Sequence, residues 1–332
     1  MRAPEFWWLE RPSALARALS PLGQAFGAIT RRRMQRPGTR LSVPVICIGN
    51  FVAGGAGKTP TAIAVARQLD ERGEAPFFLS RGYGATARPQ GGPIRVDPAK
   101  HSAREVGDEP LLLARHAPTI VAADRVAAAR TAIKAGASVL VMDDGLQNPA
   151  LHKDLSIAVV DSDMGIGNGL CIPAGPLRAP LADQFIGVDA LVTIGDGARA
   201  KEPSLMARER ALPVIEAVLE PDAAGRARLA RQKVVAFAGI GRPEKFFRTL
   251  RELGANVAQA LPFPDHHPYG SADISMLKSA ARQAGAMLVT TEKDFVRLQH
   301  LKDLPPIDTL AVTLETRQRE AFEPLLDDLL KA

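Results

Sequence analysis

Short apolar runs alternate with helix-like segments along most of this 332-residue chain. Such runs occupy residues 43–48, 75–79, 138–142, 157–161 and 188–194, and again 234–237 and 287–290. Short apolar runs bounded by turns are typical of buried strands, and their alternation with helices predicts parallel sheets. We therefore expect an α/β fold.

Composition divides the chain into three parts. Residues 1–40 form an arm without strand-like runs, residues 41–220 hold the first set of strands, and residues 221–332 hold the second. The stretch 196–230 is polar and rich in Ala, Arg, Glu and Pro, so we place the boundary there. The expected architecture is a larger α/β domain, a second, smaller α/β domain and an N-terminal helical arm.

The arm combines an apolar stripe with basic charge. Its apolar residues recur at steps of four and three, the spacing of one helix face: Leu15, Leu19, Leu22, Phe26 and Ile29. Trp7 and Trp8 precede the stripe, and arginines at 31–33 follow it. The arm accounts for the whole net charge of +6. These features favour a helix lying on an anionic membrane surface; packing on the protein or on a dimer partner is the alternative.

Composition also excludes several classes of protein. Apolar residues make up 46% of the chain and charged residues 23%, as in ordinary globular cores. The uncharged run of the arm, 18–30, is well short of the ~20 residues that span a bilayer. Charge outside the arm is balanced, which argues against nucleic-acid binding. The two cysteines, Cys47 and Cys171, form no metal or disulfide pattern, so a reducing cytoplasm is expected.

A glycine-rich turn between the first strand and the next helix is the clearest candidate site. It comprises Val52, Ala53, Gly54, Gly55, Ala56, Gly57, Lys58 and Thr59. Glycines in such a turn let backbone N–H groups converge on phosphates at a helix N-terminus. Lys58 can reach the terminal phosphates and the Thr59 hydroxyl can hold Mg²⁺, so a nucleoside triphosphate is the expected ligand. Val52 replaces the first glycine of the usual motif.

Carboxylates stand at two other predicted element ends. The strand at 138–142 ends in Asp143 and Asp144, where a phosphate loop has its magnesium-binding acid. Side chains alternate along a strand, so one of the two is expected to face the metal. Asp108 and Glu109 open an apolar helix, where acids also serve as simple caps.

Polar side chains at further turns complete the candidate set. Arg81 follows a predicted strand, and open α/β sheets bind their ligands at the carboxyl ends of strands. A long segment rich in glycine and proline carries Asn168 and Arg178, and irregular loops of this kind tend to bind ligands. In the second half Asp265 precedes His266, so a carboxylate can orient an imidazole. An ordinary surface turn is the alternative there.

Together these motifs resemble those of the tetraacyldisaccharide 4′-kinases, the lipid A 4′-kinases of Gram-negative bacteria. The matching segments occur in the family's order at 48–50, 54–60, 80–84, 107–110, 143–147, 167–169, 173–178, 238–243, 265–266 and 291–294. The phosphate loop alone occurs in many ATPases, whereas the complete set is specific to this family.

The resemblance implies transfer of the ATP γ-phosphoryl group to the 4′-hydroxyl of tetraacyldisaccharide 1-phosphate, a step of lipid A biosynthesis. It implies a P-loop NTPase-like α/β/α domain that uses ATP and Mg²⁺, with a second domain that closes over the active site. Since the acceptor is a lipid of the inner membrane, it favours peripheral attachment at the cytoplasmic face of that membrane.

The resemblance also implies roles for single residues. Asp108 is the base that takes the proton of the sugar hydroxyl, with His266 oriented beside it, and Lys58 acts on the phosphates. The remaining implied roles are magnesium binding by Thr59, Asp144, Asp143 and Glu109, and substrate binding by Arg81, Asn168 and Arg178. Asn148 and Ala179 stand where the family usually has His and Glu, so contacts of those two side chains are not transferred.

The rival function is that of a partitioning or targeting ATPase, a nucleotide switch with the same order of residues in its phosphate loop. Those proteins carry a signature lysine where this chain has Ala53. A switch also has no need of the motif around Asp108. The kinase is therefore the favoured function.

Overall fold

The computed structural model describes residues 3–86, 91–318 and 320–331, which form two sheets flanked by helices. The helices are α1 Ala14–Met34, α2 Lys58–Glu71, α3 Ala103–Val106, α4 Asp108–Leu113, α5 Arg125–Lys134, α6 Leu181–Gln184, α7 Lys201–Glu209, α8 Ala223–Leu229, α9 Pro243–Glu252, α10 Ser271–Ala284, α11 Glu292–Leu298 and α12 Glu323–Lys331. Short 3₁₀ turns lie at Glu5–Trp8, Phe185–Gly187 and Ala198–Ala200.

The strands of the larger sheet are β1 Val45–Gly49, β2 Pro76–Ser80, β3 Ile94–Arg95, β4 Thr119–Val121, β5 Val139–Asp143, β6 Leu155–Asp161, β7 Ala190–Ile194, β8 Val214–Pro221 and β13 Val312–Thr316. Their order is β13-β8-β7-β6-β1-β5-β2-β4-β3. The pairing is parallel throughout the centre and antiparallel only at the two edges. Central strands of such a sheet are covered on both faces, which explains why β1 and β5 read as continuous apolar runs. The predicted α/β fold is confirmed.

The smaller sheet consists of β9 Lys233–Ala238, β10 Asn256–Pro262, β11 Met287–Thr291 and β12 Ile307–Leu310. All its pairings are parallel, in the order β10-β9-β11-β12. Separate apolar clusters cover its two faces, one around Phe247 and one around Phe237. This sheet is thus a second α/β layer with its own core.

The end of the chain departs from the predicted division at residue 221. Strand β13 pairs with β8 of the larger sheet, and α12 buries Leu326 in the core of that sheet next to Phe322. The segment after β12 therefore returns to the first α/β layer, although the sequence assigned it to the second. Nothing local in the sequence signals this return, because the pairing partner lies about ninety residues earlier.

Helix α1 packs against the protein through its small residues. Ala16, Gly23 and Gly27 are buried, and a Cβ at Gly23 would lie 2.6 Å from the Cys171 carbonyl oxygen. The apolar stripe therefore points outward, and Leu22 is 61% exposed. No helix in the described parts of the chain is long and apolar enough to cross a membrane.

Candidate active site

The phosphate loop connects β1 to α2 in a conformation that requires glycine. Gly57 caps α2 with φ +87°, and a Cβ there would also collide with the Ile194 side chain at 2.3 Å. The Lys58 ammonium donates to the Gly54 carbonyl oxygen at 3.2 Å, and the Asn50 amide donates to the same oxygen at 3.0 Å. The lysine is thus held inside the loop.

The segment at 176–178 runs beside the loop and brings an arginine to it. The Ala53 N–H donates to the Pro176 carbonyl oxygen at 2.8 Å, and the Arg178 N–H donates to the Phe51 carbonyl oxygen at 2.9 Å. Both Nη atoms of the Arg178 guanidinium donate to the Asp144 carboxylate, at 2.6 and 2.9 Å. The proline-rich loop therefore forms one wall of the site. Its arginine, Arg178, pairs with Asp144, one of the predicted magnesium-binding carboxylates.

Asp143 is the last residue of β5 and Asp144 follows it, yet their surroundings shift the two pKa values in opposite directions. Burial raises the pKa of Asp144, but Lys58 at 3.9 Å and the Arg178 fork outweigh it and lower that pKa. Asp143 is 3% exposed, and its Oδ1 has no hydrogen-bond partner among the described residues. Burial first, and the charge of Glu109 second, raise its pKa to about 7. An unpartnered buried carboxylate oxygen is a suitable ligand for a hard cation.

Arg125 is a site residue that the sequence analysis missed. It begins α5, is 3% exposed, and its Nε and Nη1 make no hydrogen bond within the described residues. Burial lowers its pKa, Asp143 and Asp144 raise it, and Arg81 nearby lowers it. Arg125 thus lies near both acids with free donors. Arg81 directly follows a predicted strand, whereas Arg125 lies four residues after β4, a strand that the sequence did not predict, so the same rule did not select it.

The structure brings together Asp108 and His266 from the two α/β layers. The His266 Nδ1 lies 2.8 Å from Asp108 Oδ2, and Asp108 is 4% exposed. Burial would raise the pKa of Asp108. The hydrogen bond from His266 and the charges of Lys293, His266 and Arg297 outweigh burial and lower that pKa to about 2. Asp108 is therefore ionised across the physiological pH range.

Two cations of α11 face the acids that open α4. Lys293 Nζ lies 3.0 Å from Glu109 Oε1, and Arg297 Nε lies 3.4 Å from Asp108 Oδ2. Burial opposes the charge on Lys293, but Glu109 and Asp108 raise its pKa, so it stays protonated. Neither cation has a role predicted from the sequence. Glu109, predicted as a metal-assisting acid, lies in an ion pair with Lys293 and also near Asp143.

Asn168 and Trp7 bond to neighbouring segments of the protein. The Asn168 amide donates to the carbonyl oxygens of Phe6 and Ala174 and accepts from the Leu170 N–H, which leaves no free donor for a substrate. The Trp7 indole N–H donates to the Pro173 carbonyl oxygen at 2.9 Å. These bonds tie the arm to the loop that forms the wall of the site.

Asn148 and Ala179, the two residues that depart from the family pattern, each fit their local surroundings. Asn148 accepts from the Ala150 N–H at 2.8 Å within a turn, and Ala179 is fully buried. Among residues that the structure describes, no group of three His, Cys, Asp or Glu side chains forms a metal cage. A cation beside Asp143 would need further oxygens from a bound ligand.

A phosphate loop, a strand-end acid pair and an acid–histidine contact on a parallel α/β sheet define a P-loop phosphotransferase. The sequence model of the tetraacyldisaccharide-1-P 4′-kinases (LpxK) matches residues 15–331, and the chain belongs to this family. The recognition from sequence motifs is confirmed, and the chain is a kinase rather than a nucleotide switch.

The sequences and the solved structure of related proteins agree with this family assignment. A tetraacyldisaccharide 4′-kinase of Methylobacterium nodulans is 54% identical over 97% of this chain and 94% of its own length. One from Rhodopseudomonas palustris is 50% identical over 97% of this chain and 94% of its own length. The solved structure of LpxK from Aquifex aeolicus in complex with ATP superposes with a TM-score of 0.74. It is 27% identical and covers 96% of this chain and 98% of that one.

Proposed function

We propose that this kinase transfers the γ-phosphoryl group of ATP to the 4′-hydroxyl of tetraacyldisaccharide 1-phosphate at the cytoplasmic face of the inner membrane. The observation that carries the proposal is the 2.8 Å contact between Asp108 and His266, and the adjacent Glu109 lies near enough for its charge to raise the pKa of Asp143. A nucleotide switch needs a phosphate loop and an acid, but it has no use for a proton acceptor assembled from two layers.

ATP is proposed to bind with its phosphates on the loop that precedes α2. The N-terminus of α2 and the backbone N–H groups of the glycine turn favour negative charge there. Lys58 is positioned to exchange the Gly54 carbonyl oxygen, 3.2 Å away, for the β- and γ-phosphate oxygens. The ATP complex of the Aquifex relative supports this placement.

The residues present fit a magnesium ion, because the buried Oδ1 of Asp143 has no partner among the described residues. Asp143 and the Thr59 hydroxyl would hold the ion, with phosphate oxygens completing its shell. When bound, Mg²⁺ neutralises charge on the β- and γ-phosphates. Asp144 accepts two hydrogen bonds from Arg178 and so keeps that arginine beside the phosphate loop.

Asp108 is proposed to take the proton of the sugar hydroxyl. The His266 Nδ1–H holds its Oδ2, and burial keeps water from competing for the carboxylate. A carboxylate with a pKa near 2 is a weak base. In a loose transition state the attacking oxygen has formed little bond to phosphorus, so positioning matters more than base strength.

The arm is proposed to attach the kinase to an anionic membrane. Leu15, Leu22 and Ile29 are each more than half exposed on the outward face of α1, and arginines at 31–33 end the helix. An apolar face that sinks into the interface, with cations at the headgroups, binds without spanning the bilayer. The acceptor lipid would then be taken from the same surface.

The test measures transfer to purified tetraacyldisaccharide 1-phosphate by the gain of one phosphate in mass spectra. Asp108→Ala and His266→Ala should each lower kcat by ~10²-fold or more, with ATP affinity nearly unchanged. The double variant should be about as poor as the worse single one. His152→Ala is the matched control, because His152 pairs with Asp154 just before the start of β6. A large loss of ATP affinity in Asp108→Ala would contradict the base role and indicate a magnesium ligand.

A further inference from the structure

Arg297 is a buried arginine that connects several backbone groups of the smaller α/β layer. Its side chain is 6% exposed. The Nη2 donates to the Gly239 carbonyl oxygen at 2.9 Å, and the Nη1 donates to the His267 carbonyl oxygen at 3.2 Å. It also pairs with Asp294 at 2.9 Å. A planar fork can make several such bonds at once, which a lysine cannot.

Those two carbonyl groups flank the turn that carries His266. His266 has φ +56°, in the left-handed region that non-glycine residues rarely adopt. Its N–H donates to the Gly239 carbonyl oxygen at 3.0 Å, the same oxygen that accepts from Arg297. Such a conformation persists only where its surroundings over-determine it. Arg297 provides two of the contacts that do so.

Asp294 in turn fixes Arg297. It is fully buried and accepts from the Gly239 N–H at 2.9 Å and from the Tyr269 hydroxyl at 2.8 Å. Thr291, the cap of α11, bonds the same carboxylate at 2.6 Å. Charge-assisted bonds in a buried network hold their members in one geometry. The Arg297–Asp294 pair is therefore a rigid part of the smaller layer.

The same guanidinium reaches across to the larger layer. Its Nε lies 3.4 Å from Asp108 Oδ2, the oxygen that also meets His266 Nδ1 at 2.8 Å. Arg297 thus contacts Asp108 directly and bonds two carbonyl oxygens beside the turn of His266. One side chain sets where the two members of the pair meet.

We propose that Arg297, locked by Asp294, is the positioning residue of the Asp108–His266 pair. It holds the left-handed turn of His266 and the carboxylate of Asp108 in register, so that the imidazole meets Oδ2. This inference rests on the proposed function, in which the pair serves phosphoryl transfer. Since the contacts of Arg297 within the described residues lie away from the phosphate loop, its effect falls on kcat and not on ATP binding.

Arg297→Lys is the first test, because it keeps the charge next to Asp294 but loses the fork. A single ammonium cannot span both carbonyl groups and Asp108. We expect kcat to fall ~10-fold or more, with the KM for ATP within about twofold of wild type. Arg228→Lys is the matched control, since Arg228 forks onto Asp308 at 2.7 and 2.8 Å far from the pair. It should leave kcat within about twofold.

The second test repeats Arg297→Lys in the His266→Ala background. If Arg297 acts through His266, the substitution should lower the residual kcat by less than about twofold there. A loss that multiplies in full would show that Arg297 acts independently of His266 and would overturn the proposal. A kcat of Arg297→Lys within twofold of wild type would also overturn it.

A third variant decides the question if Arg297→Lys does not fold. Tyr269→Phe removes one hydrogen bond to Asp294 and leaves Arg297 in place. It should lower kcat severalfold in the wild-type background and not in His266→Ala, and an unchanged kcat would overturn the proposal. Failure of the wild type to phosphorylate the lipid would instead refute the proposed function, so the two failures are distinct.

Discussion

Replacing Asp143 with asparagine is expected to stabilise the nucleotide-free protein at neutral pH. Asp143 ends β5 at 3% exposure, and its Oδ1 has no hydrogen-bond partner within the described ranges. Burial first, and Glu109 second, raise its pKa from 3.8 to about 7. The ionised carboxylate is therefore a buried charge that lacks a full set of partners, which is unfavourable for folding.

The raised pKa fixes the sign of the pH dependence. Between the unfolded value of 3.8 and the folded value of about 7, the folded state binds more protons, so stability falls as pH rises. Each pH unit in that window corresponds to ~1.4 kcal/mol. The wild type should lose about 2 kcal/mol from this group between pH 5 and pH 7, and little more above pH 7. Asparagine does not titrate, so the variant escapes this loss.

The assay is urea unfolding at pH 5, 7 and 8 with a chelator present, comparing Asp143→Asn with wild type. The advantage of the variant should grow from pH 5 to pH 7. Asp144→Asn is the matched control, because Lys58 and Arg178 outweigh burial and lower the pKa of Asp144. Its ionised form contributes stability above the unfolded pKa, so removing it should destabilise the protein at pH 7.

Added Mg²⁺ and ATP should reverse the advantage. A ligand that binds the folded state stabilises it by an amount that grows with the logarithm of its concentration relative to its Kd, and the variant lacks the oxygen proposed to hold the ion. An Asp143→Asn advantage that is the same at pH 5 and pH 8, or absent at both, would refute the unpartnered buried carboxylate.

Further predictions concern the phosphate loop and the arm. Lys58→Ala should nearly abolish turnover, and activity within about threefold of wild type in the transfer assay would refute the loop assignment. Leu22→Asp combined with Phe26→Asp should abolish co-sedimentation with anionic vesicles while ATP binding persists; undiminished sedimentation would place the membrane contact elsewhere. Gly27→Val should lower the thermal midpoint by overpacking against Cys171, whose Sγ would lie 3.0 Å from the new Cβ. An unchanged midpoint would show that α1 shifts freely.

The parts of the site that could be predicted are those fixed by a few consecutive residues. The phosphate loop needs a strand, a glycine turn and a helix start, all within residues 45–71. Asp143 follows an apolar run whose length already marks a buried strand. Local steric and hydrogen-bonding requirements determine these features, so the sequence pattern carries them.

The parts that could not be predicted arise from contacts between distant segments. Arg297 looks in the sequence like any basic residue of a short helix, and its role comes from burial against Gly239 and Asp108. The outward face of α1 was also ambiguous, because an apolar stripe fits either a membrane or a protein. The apolar stripe does not include Gly23 and Gly27, and these two glycines lie on the buried face of α1.

Helix α4 places the proposed base, Asp108, at the contact between the two α/β layers. It packs on β4 of the larger sheet, yet its first two acids pair with the smaller layer, Asp108 with His266 and Arg297, and Glu109 with Lys293. Any motion that moves the smaller layer away from α4 therefore separates the Asp108 carboxylate from the His266 imidazole and exposes Asp108 and Glu109 to water. Phosphoryl transfer needs the acceptor group and the phosphates in place together, so the proposed base, completed by contact between the layers, would disfavour transfer to water while the layers are apart.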